Sequence, residues 1–140
     1  MTVKIVANRK ELNDAFTVRK VVFVDEQNVP VEEEIDQFEE DSTHFVMYHD
    51  GHPIGAGRFR ILDGIGKVER ICVLKDARQL GAGKQIMNTI ETYANQKGIH
   101  KLKLNAQIHA IPFYSRLGYT TSSEEFLDAG IPHKTMIKTI

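Results

Sequence analysis

The spacing of apolar and polar positions predicts a chain of short strands and a few helices. Alternation is typical of a half-buried strand, whereas apolar residues repeated every three or four positions indicate a helix. Apolar or alternating runs predict strands at residues 2–7, 44–49, 54–62, 68–73, 101–107, 119–126 and 133–140. Helical signals predict a helix of about fifteen residues after a cap at Asn8, a second after Gly83 and a short third at 109–117.

The connections between these elements predict the topology of one sheet. Asp50-Gly51 and Asp63-Gly64 are typical of tight turns, so the strands from residue 44 to residue 73 should form an antiparallel meander. The helix after Gly83 can carry the chain across the sheet, and such a crossover joins parallel neighbours. We therefore predict an α/β fold: a mixed, mostly antiparallel twisted sheet of about six to seven strands, with a central parallel pair and flanking helices.

A glycine-rich turn before the second helix is the clearest chemical signal. It reads Arg78-Gln79-Leu80-Gly81-Ala82-Gly83-Lys84. Glycines let the backbone approach a ligand, and the first N–H groups of a helix lack intrahelical acceptors, so a phosphate can bind there. A Walker loop is excluded because Gln85 stands where Ser or Thr is required. A dinucleotide fingerprint is disfavoured because Ile86 replaces its third glycine.

Composition narrows the class of protein. A length of 140 residues with 41% hydrophobic content suits one domain over residues 1–140. The 18 basic and 19 acidic residues nearly cancel, so we expect no nucleic-acid partner. No apolar run approaches the roughly 18 residues of a membrane span and no export signal is visible, which predicts a cytoplasmic protein without a membrane partner. The single cysteine, Cys72, fits a reducing compartment.

Two clusters bear on other functions. Seven of the ten residues 32–41 are acidic, which suits either a solvated segment pinned by Ile35 and Phe38 or a negative wall that attracts an amine. His44, His49 and His52 are close in sequence, but a turn separates the last two and no Cys or HExxH pattern accompanies them. We therefore predict no metal site.

The glycine-rich turn resembles the pyrophosphate-binding turn of the GNAT acyltransferase superfamily, Arg/Gln-x-x-Gly-x-Gly/Ala between a strand and a helix. The run from Ala110 to Tyr119 is similar to a second motif of that family, A-x-x-[FL]-Y-x-x-x-G-[FY]. Residues 22–30 and 104–107 look like a bacterial subgroup called ElaA-type or YjcF-type, so the resemblance covers nearly the whole chain. It implies a single-domain GNAT fold with a splayed central pair of strands.

The resemblance also implies a cofactor and the residues that hold it. In the family, the pantetheine arm of acetyl-CoA inserts between the splayed strands, and its pyrophosphate rests on the glycine-rich turn. The residues implied to contact coenzyme A are Ile71, Cys72, Val73, Arg78, Gln79, Leu80, Gly81, Ala82, Gly83, Lys84, Asn105, Gln107, Phe113 and Tyr114.

Two catalytic roles follow from the same resemblance. A backbone N–H at about Cys72 or Val73, made available by a bulge, would stabilise the oxyanion. Tyr114 occupies the position of the tyrosine that protonates the departing thiolate, and a phenol can give up that proton while staying protonated at pH 7. Cys72 itself is expected to be a buried apolar residue rather than a nucleophile.

A base is also required, because an alkylamine with a pKa of about ten is mostly protonated at neutral pH. Glu69 is the first candidate, since alternation places it on the face of Ile71, in apolar surroundings that would raise its pKa. The alternative is that Glu69 pairs with an arginine such as Arg58 or Arg70. Glu26, at the end of the first helix, is the second candidate.

The resemblance thus implies direct transfer of an acetyl group from acetyl-CoA to a primary amine of a small molecule or peptide, in a ternary complex. Two alternatives stay open. One is a CoA-binding sensor or interaction module without turnover, and the other is transfer of a different acyl group. A homodimer is compatible with the sequence.

Overall fold

The computed structural model describes all 140 residues as eight strands and four α-helices. The strands are β1 (Thr2–Ile5), β2 (Thr43–His49), β3 (His52–Leu62), β4 (Ile65–Val73), β5 (Lys101–Gln107), β6 (Thr120–Thr121), β7 (Phe126–Asp128) and β8 (Ile131–Thr139). The helices are α1 (Arg9–Arg19), α2 (Val31–Glu34), α3 (Ala82–Gln96) and α4 (Ile111–Arg116). A π-helical segment (Lys20–Glu26) continues α1, and short 3-10 helices (Lys75–Leu80 and Ile108–Ala110) precede α3 and α4.

All the strands belong to one sheet, in the order β1-β2-β3-β4-β5-β8-β6, with β7 also pairing with β8. Every pair is antiparallel except β4 with β5, so the predicted mixed sheet with a central parallel pair is confirmed. The sheet has eight strands rather than six or seven, because the predicted strand at 119–126 is two short strands, β6 and β7. Between them, the Ser123 hydroxyl accepts a hydrogen bond from Thr135 N at 2.9 Å and interrupts the backbone ladder.

The two parallel strands separate soon after they meet. The paired positions are Gly66 with Leu102, Lys67 with Lys103 and Val68 with Leu104. Beyond these positions β4 runs on to Val73 and β5 to Gln107 with no pairing between the two strands. The splayed pair is therefore present, and its two free edges border a cleft.

β4 contains one extra residue relative to β3. The pairs that flank it are Glu69 with Arg58 and Cys72 with Ala56, so three steps along β4 match two along β3. Arg70 lies between them with φ of 59°, a left-handed conformation that is uncommon outside glycine and typical of a bulge. The bulge shifts the alternation, so Glu69 shares a face with Cys72. The expectation that Glu69 shares a face with Ile71 is wrong.

Helices cover both faces of the sheet. On one face α3 contributes the fully buried Ile86 and Ile90 to the larger apolar core. On the other face α1 contributes Ala15 and Val18 to a smaller core. Full burial of an isoleucine-sized side chain stabilises a fold by roughly 1.5–3 kcal/mol, so these two layers fix the helices on the sheet. No helix has the length and apolar character that would let it cross a membrane.

The first helical stretch is longer than predicted. Asn8 Oδ1 accepts a hydrogen bond from Glu11 N at 2.9 Å, as expected of the cap, and Glu11 Oε1 accepts one from Ala7 N at 2.8 Å. The α-helix ends at Arg19, but the chain continues in π-helical turns to Glu26. These wider turns, which often occur at functional sites, carry Glu26 to the wall of the cleft.

Candidate active site

A cleft of about 1030 Å³ opens where β4 and β5 separate. Its walls are the two free strand edges, the π-helical segment, α2, the start of α3, α4 and the turn between β7 and β8. Ligand sites usually have volumes of about 300–1,000 Å³, so this cleft could hold a cofactor arm and part of an acceptor together. Glu26, Glu69 and Tyr114, the predicted catalytic residues, all line it.

Most of the residues implied to contact coenzyme A also line the cleft. Those that do are Ile71, Cys72, Val73, Arg78, Gly81, Gly83, Lys84, Asn105, Gln107, Phe113 and Tyr114. Gln79 and Leu80 are exposed to solvent outside the cleft, and Ala82 is fully buried in the core. The glycine-rich turn therefore meets the cleft through Arg78, its two glycines and Lys84.

The N-terminus of α3 faces this cleft. Gly81 has φ of 75°, a conformation that favours glycine, and it directs the chain into the helix. The hydrogen bond from Gln85 N to Gly81 O is 3.2 Å long, and the N–H groups before Gln85 lie in the first turn, where no intrahelical acceptor is available. No side chain caps the helix. Free N–H groups and the positive end of the helix dipole favour an anion here.

Arg78 ties the glycine-rich turn to the opposite wall. Its Nε donates a 2.9 Å hydrogen bond to Val73 O, and its Nη2 donates a 2.7 Å hydrogen bond to Glu26. The hydrogen bond from Arg78 lowers the pKa of Glu26. Both side chains are more than a third exposed, so solvent screens the pair and it adds little stability. The contact nevertheless disfavours proton uptake by Glu26.

Glu69 lies in an ionic network rather than in apolar surroundings. Its carboxylate accepts hydrogen bonds from Arg58 Nη2 at 3.0 Å and Arg60 Nε at 2.7 Å, and Lys67 Nζ lies 3.6 Å away. Burial opposes ionisation, but the hydrogen bond from Arg60 and the charges of Arg58 and Lys67 outweigh it, and the pKa of Glu69 is lowered. The expected raised pKa is wrong, and the alternative, pairing with Arg58, is observed.

Three of the seven acidic residues at 32–41 neutralise buried arginines. Glu34 accepts a 2.7 Å hydrogen bond from Arg19, and Glu39 contacts both Arg19 at 2.8 Å and Arg58 at 2.9 Å. Asp36 also contacts Arg58 at 2.8 Å. A buried cation without a partner is very costly, so these three carboxylates hold the segment on the sheet. Glu32 and Glu33 are exposed at the cleft and make no ion pair, so a negative wall that attracts an amine stays a prediction.

Tyr114 is positioned by the apolar core and reaches the cleft. Only 9% of it is exposed, and the ring of Phe113 packs edge-on against it with ring centroids 5.0 Å apart. Its hydroxyl makes no hydrogen bond within the protein and is not sealed from the cleft. Burial raises the pKa of Tyr114 well above its usual value, so the phenol keeps its proton at neutral pH.

Gly83 makes room for the same aromatic cluster. A Cβ built on Gly83 would lie 3.1 Å from Cζ of Phe113, closer than side chains normally approach. Gly83 has an ordinary helical backbone, so glycine is needed at this position for space rather than for an unusual backbone conformation. Any side chain there would push against Phe113 or cover the N–H groups at the start of α3.

Cys72 is buried beside the free edge of β4. Burial raises the pKa of its thiol to about 12, so it is not a thiolate at neutral pH. The bulge expected to free an oxyanion-binding N–H lies at Arg70, two residues before Cys72.

Gln27 and His133 are among the polar residues of the cleft that were not predicted. Gln107 Nε2 donates a 2.8 Å hydrogen bond to Gln27 Oε1, which ties β5 to the end of the π-helical segment. His133 pairs with Gln107 in register, and its Nδ1 lies 2.6 Å from Ile131 O. His133 could have been found from the sequence, because it is a histidine on a largely apolar strand. The long-range partner of Gln27 had no signal in the sequence.

The splayed strands and the cleft between them match the fold that the acyltransferase resemblance implies. Residues 11–140 match the family described as acetyltransferase (GNAT) domain, and the chain belongs to this family. It is 54% identical over 139 residues to YjcF of Bacillus subtilis, an uncharacterized N-acetyltransferase, with 99% of each chain covered. The protein is therefore an acyltransferase of GNAT type.

Solved structures share the fold at low identity. Escherichia coli ElaA matches with a TM-score of 0.85 and 24% identity over 98% of each chain, which together with YjcF confirms the ElaA/YjcF-type resemblance. An aminoglycoside 6'-N-acetyltransferase complexed with coenzyme A matches with a TM-score of 0.80 and 13% identity, over 99% of this chain and 97% of that one. At these identities the likeness shows the fold alone.

Proposed function

We propose that the protein transfers the acetyl group of acetyl-CoA directly to a primary amine of a small molecule or peptide, with both substrates bound together. The separation of β4 from β5 is the observation that carries this proposal. It leaves a cleft that is bordered by an anion-favouring helix start and by Tyr114. A neighbour in fold is complexed with coenzyme A, which supports the same ligand here.

Several groups of this chain fit such a thioester. The uncapped N–H groups at Gly83 and Lys84 suit a pyrophosphate. The free edges of β4 and β5 suit the amide groups of a pantetheine arm, because an unpaired strand edge offers N–H and C=O groups. Asn105 Oδ1 accepts a 2.8 Å hydrogen bond from Thr135, and its amide N–H groups stay free for such contacts. The acetyl group supplies the carbonyl carbon that the amine attacks.

The residues divide the reaction between them. As the new C–N bond forms, a backbone N–H after the bulge, at about Cys72 or Val73, holds the oxyanion. As the C–S bond breaks, the Tyr114 hydroxyl gives its proton to the departing sulfur. Arg78 holds Glu26 in its ionised form, and Arg58, Arg60 and Lys67 do the same for Glu69, so neither carboxylate is suited to take the proton of the amine.

Ligand-induced stabilisation tests the cofactor part of the proposal. Coenzyme A should raise the unfolding temperature, whereas NAD or ATP at equal concentration should do so much less, because the chain lacks their glycine and hydroxyl patterns. Thermal unfolding with each ligand measures this. Equal shifts for all three ligands would argue against a dedicated coenzyme A site.

Turnover tests the transfer itself. Acetyl-CoA with a panel of primary amines should release free thiol, which a chromogenic disulfide reports. Both predicted carboxylate bases are tied to cations, an observation that favours the sensor alternative if no other base is present. Coenzyme A binding without thiol release from any amine would therefore favour a CoA-binding sensor. Faster release from a longer acyl-CoA would favour transfer of a different acyl group.

A further inference from the structure

The proposed transfer requires a proton acceptor on the side from which the amine arrives. Neither predicted carboxylate suits this task. Glu69 is surrounded by three cations and Glu26 bonds to Arg78, so both are stabilised as anions and resist protonation. A neutral group with a free lone pair at the cleft would meet the requirement better.

His133 is such a group. It lies near the start of β8, is 8% exposed, and lines the cleft. Its Nδ1 is 2.6 Å from Ile131 O, and a carbonyl oxygen can only accept, so Nδ1 carries the hydrogen. In the neutral ring the lone pair is then on Nε2, which makes no hydrogen bond within the protein. The tautomer that a base requires is thus fixed by the backbone.

Packing also holds the His133 ring in place, and no charged side chain pairs with it. It stacks on Phe126 of β7 with ring centroids 6.0 Å apart and planes 23° from parallel. The ion pairs that involve histidine are those of His44 with Glu39 and His49 with Asp50, so His133 takes part in none. No carboxylate therefore holds a hydrogen on Nε2, and that nitrogen can accept the proton of an incoming amine.

The topology places this group opposite the acid. His133 is in register with Gln107, so both side chains lie on one face of the sheet, the face on which Gln107 meets Gln27. Tyr114 belongs to the apolar core under α3, on the other face. An acid and a base on opposite faces of the gap suit direct transfer, in which the amine enters on one side while the thiolate leaves on the other.

We propose that Nε2 of His133 is the general base, taking the proton that the acceptor amine loses either directly or through one water molecule. The inference rests on the proposed amine acetylation. The acceptor reacts as its neutral amine, after its ammonium form has released one proton to solvent. The C–N bond then forms as the C–S bond breaks, the second amine proton goes to His133, and the sulfur takes the proton of Tyr114. Proton exchange between the two side chains and solvent then restores the neutral histidine and the phenol.

His133→Asn tests this assignment, because its amide can still donate to Ile131 O but cannot act as a base. With acetyl-CoA and cadaverine, spermidine, phenethylamine and glycyl-lysine as acceptors, kcat should fall by roughly 10²- to 10⁴-fold, the usual loss of a general base. The shift in unfolding temperature caused by coenzyme A should be unchanged. His109→Asn is the matched control, since His109 borders the same cleft without a hydrogen bond that fixes its tautomer, and it should retain turnover.

His133→Ala separates a base from a structural role. Added imidazole should restore turnover of this variant in a saturable way and should not affect the wild type. The inference, but not the proposed function, would be overturned if the wild type turns over and His133→Asn is equally active. The same conclusion would follow if the wild type turns over and imidazole fails to rescue His133→Ala. A wild type that releases no thiol with any of these amines would overturn the proposed function and, with it, this inference.

Discussion

Tyr114 offers a clean test at the scale of the residue, because its hydroxyl has no partner inside the protein. Tyr114→Phe should lower kcat by roughly 10²- to 10⁴-fold if thiolate departure limits the rate. The free energy of unfolding and the affinity for coenzyme A should change little, since ring packing is retained. Steady-state kinetics, denaturant unfolding and ligand titration measure the three quantities.

Tyr119→Phe is the matched control for that change. Tyr119 packs against Tyr114, but its hydroxyl donates a 2.9 Å hydrogen bond to Glu91 and does not border the cleft. Because the acceptor is a carboxylate, loss of this hydroxyl should lower the free energy of unfolding by roughly 1.5–3 kcal/mol, and kcat should be unchanged. If Tyr114→Phe behaves in the same way as Tyr119→Phe, with intact turnover, then Tyr114 is a packing residue and the thiolate leaves without its proton.

The sequence predicted the place of Tyr114 at the cleft but not the ionic surroundings of Glu69. Tyr114 follows a recognisable motif on a short helix, so its place at the cleft could be anticipated. The surroundings of Glu69 could not, because simple alternation ignores the extra residue at Arg70. Its partners Arg58 and Arg60 come from the neighbouring strand, and no local pattern shows which arginines are buried.

At the scale of the element, the start of α3 depends on Gly83. Gly83→Val should abolish the stabilisation by coenzyme A, because a branched side chain would strike Phe113 or cover the N–H groups that an anion needs. Thermal unfolding with and without coenzyme A measures this. Gln85→Val places the same residue on an exposed position of the same turn and should retain the shift. Normal binding by Gly83→Val would show that the pyrophosphate lies elsewhere.

Elements were predicted well wherever their signals are local. The caps, tight turns and crossover helix gave the order of strands in the centre of the sheet. The π-helical continuation of α1 and the division of the 119–126 segment depend on tertiary contacts, such as the hydrogen bond from Thr135 to Ser123. Propensity and spacing carry no information about contacts of that kind.

At the scale of the whole molecule, an ionic network joins α1, the acidic segment, β3 and β4, and this predicts acid sensitivity. Its central member is Glu39, whose burial is outweighed by hydrogen bonds and charge from Arg19 and Arg58, so its pKa falls from 4.5 to about 2. A lowered folded-state pKa stabilises the fold above about pH 4.5, and that contribution is lost as the pH falls towards 2. The loss should be roughly 3 kcal/mol.

Urea unfolding at a series of pH values between 7 and 2 measures this dependence. Glu39→Gln should be less stable at pH 7, because Arg19 and Arg58 each lose a charged partner, and its stability should decline less as the pH is lowered. Parallel curves for the two proteins would show that other carboxylates carry the acid response.

The early separation of β4 from β5 also divides the sheet into two groups of strands that few backbone hydrogen bonds join. The backbone ladder joins the leaf formed by β5, β8, β6 and β7 to the other strands at only three paired positions, so we expect this leaf to open at a lower free energy than global unfolding requires. Amide hydrogens in that leaf should then exchange with deuterium faster than those of β2 and β3. A thioester seated in the gap would bridge the leaves and slow exchange even in β6, which it does not touch.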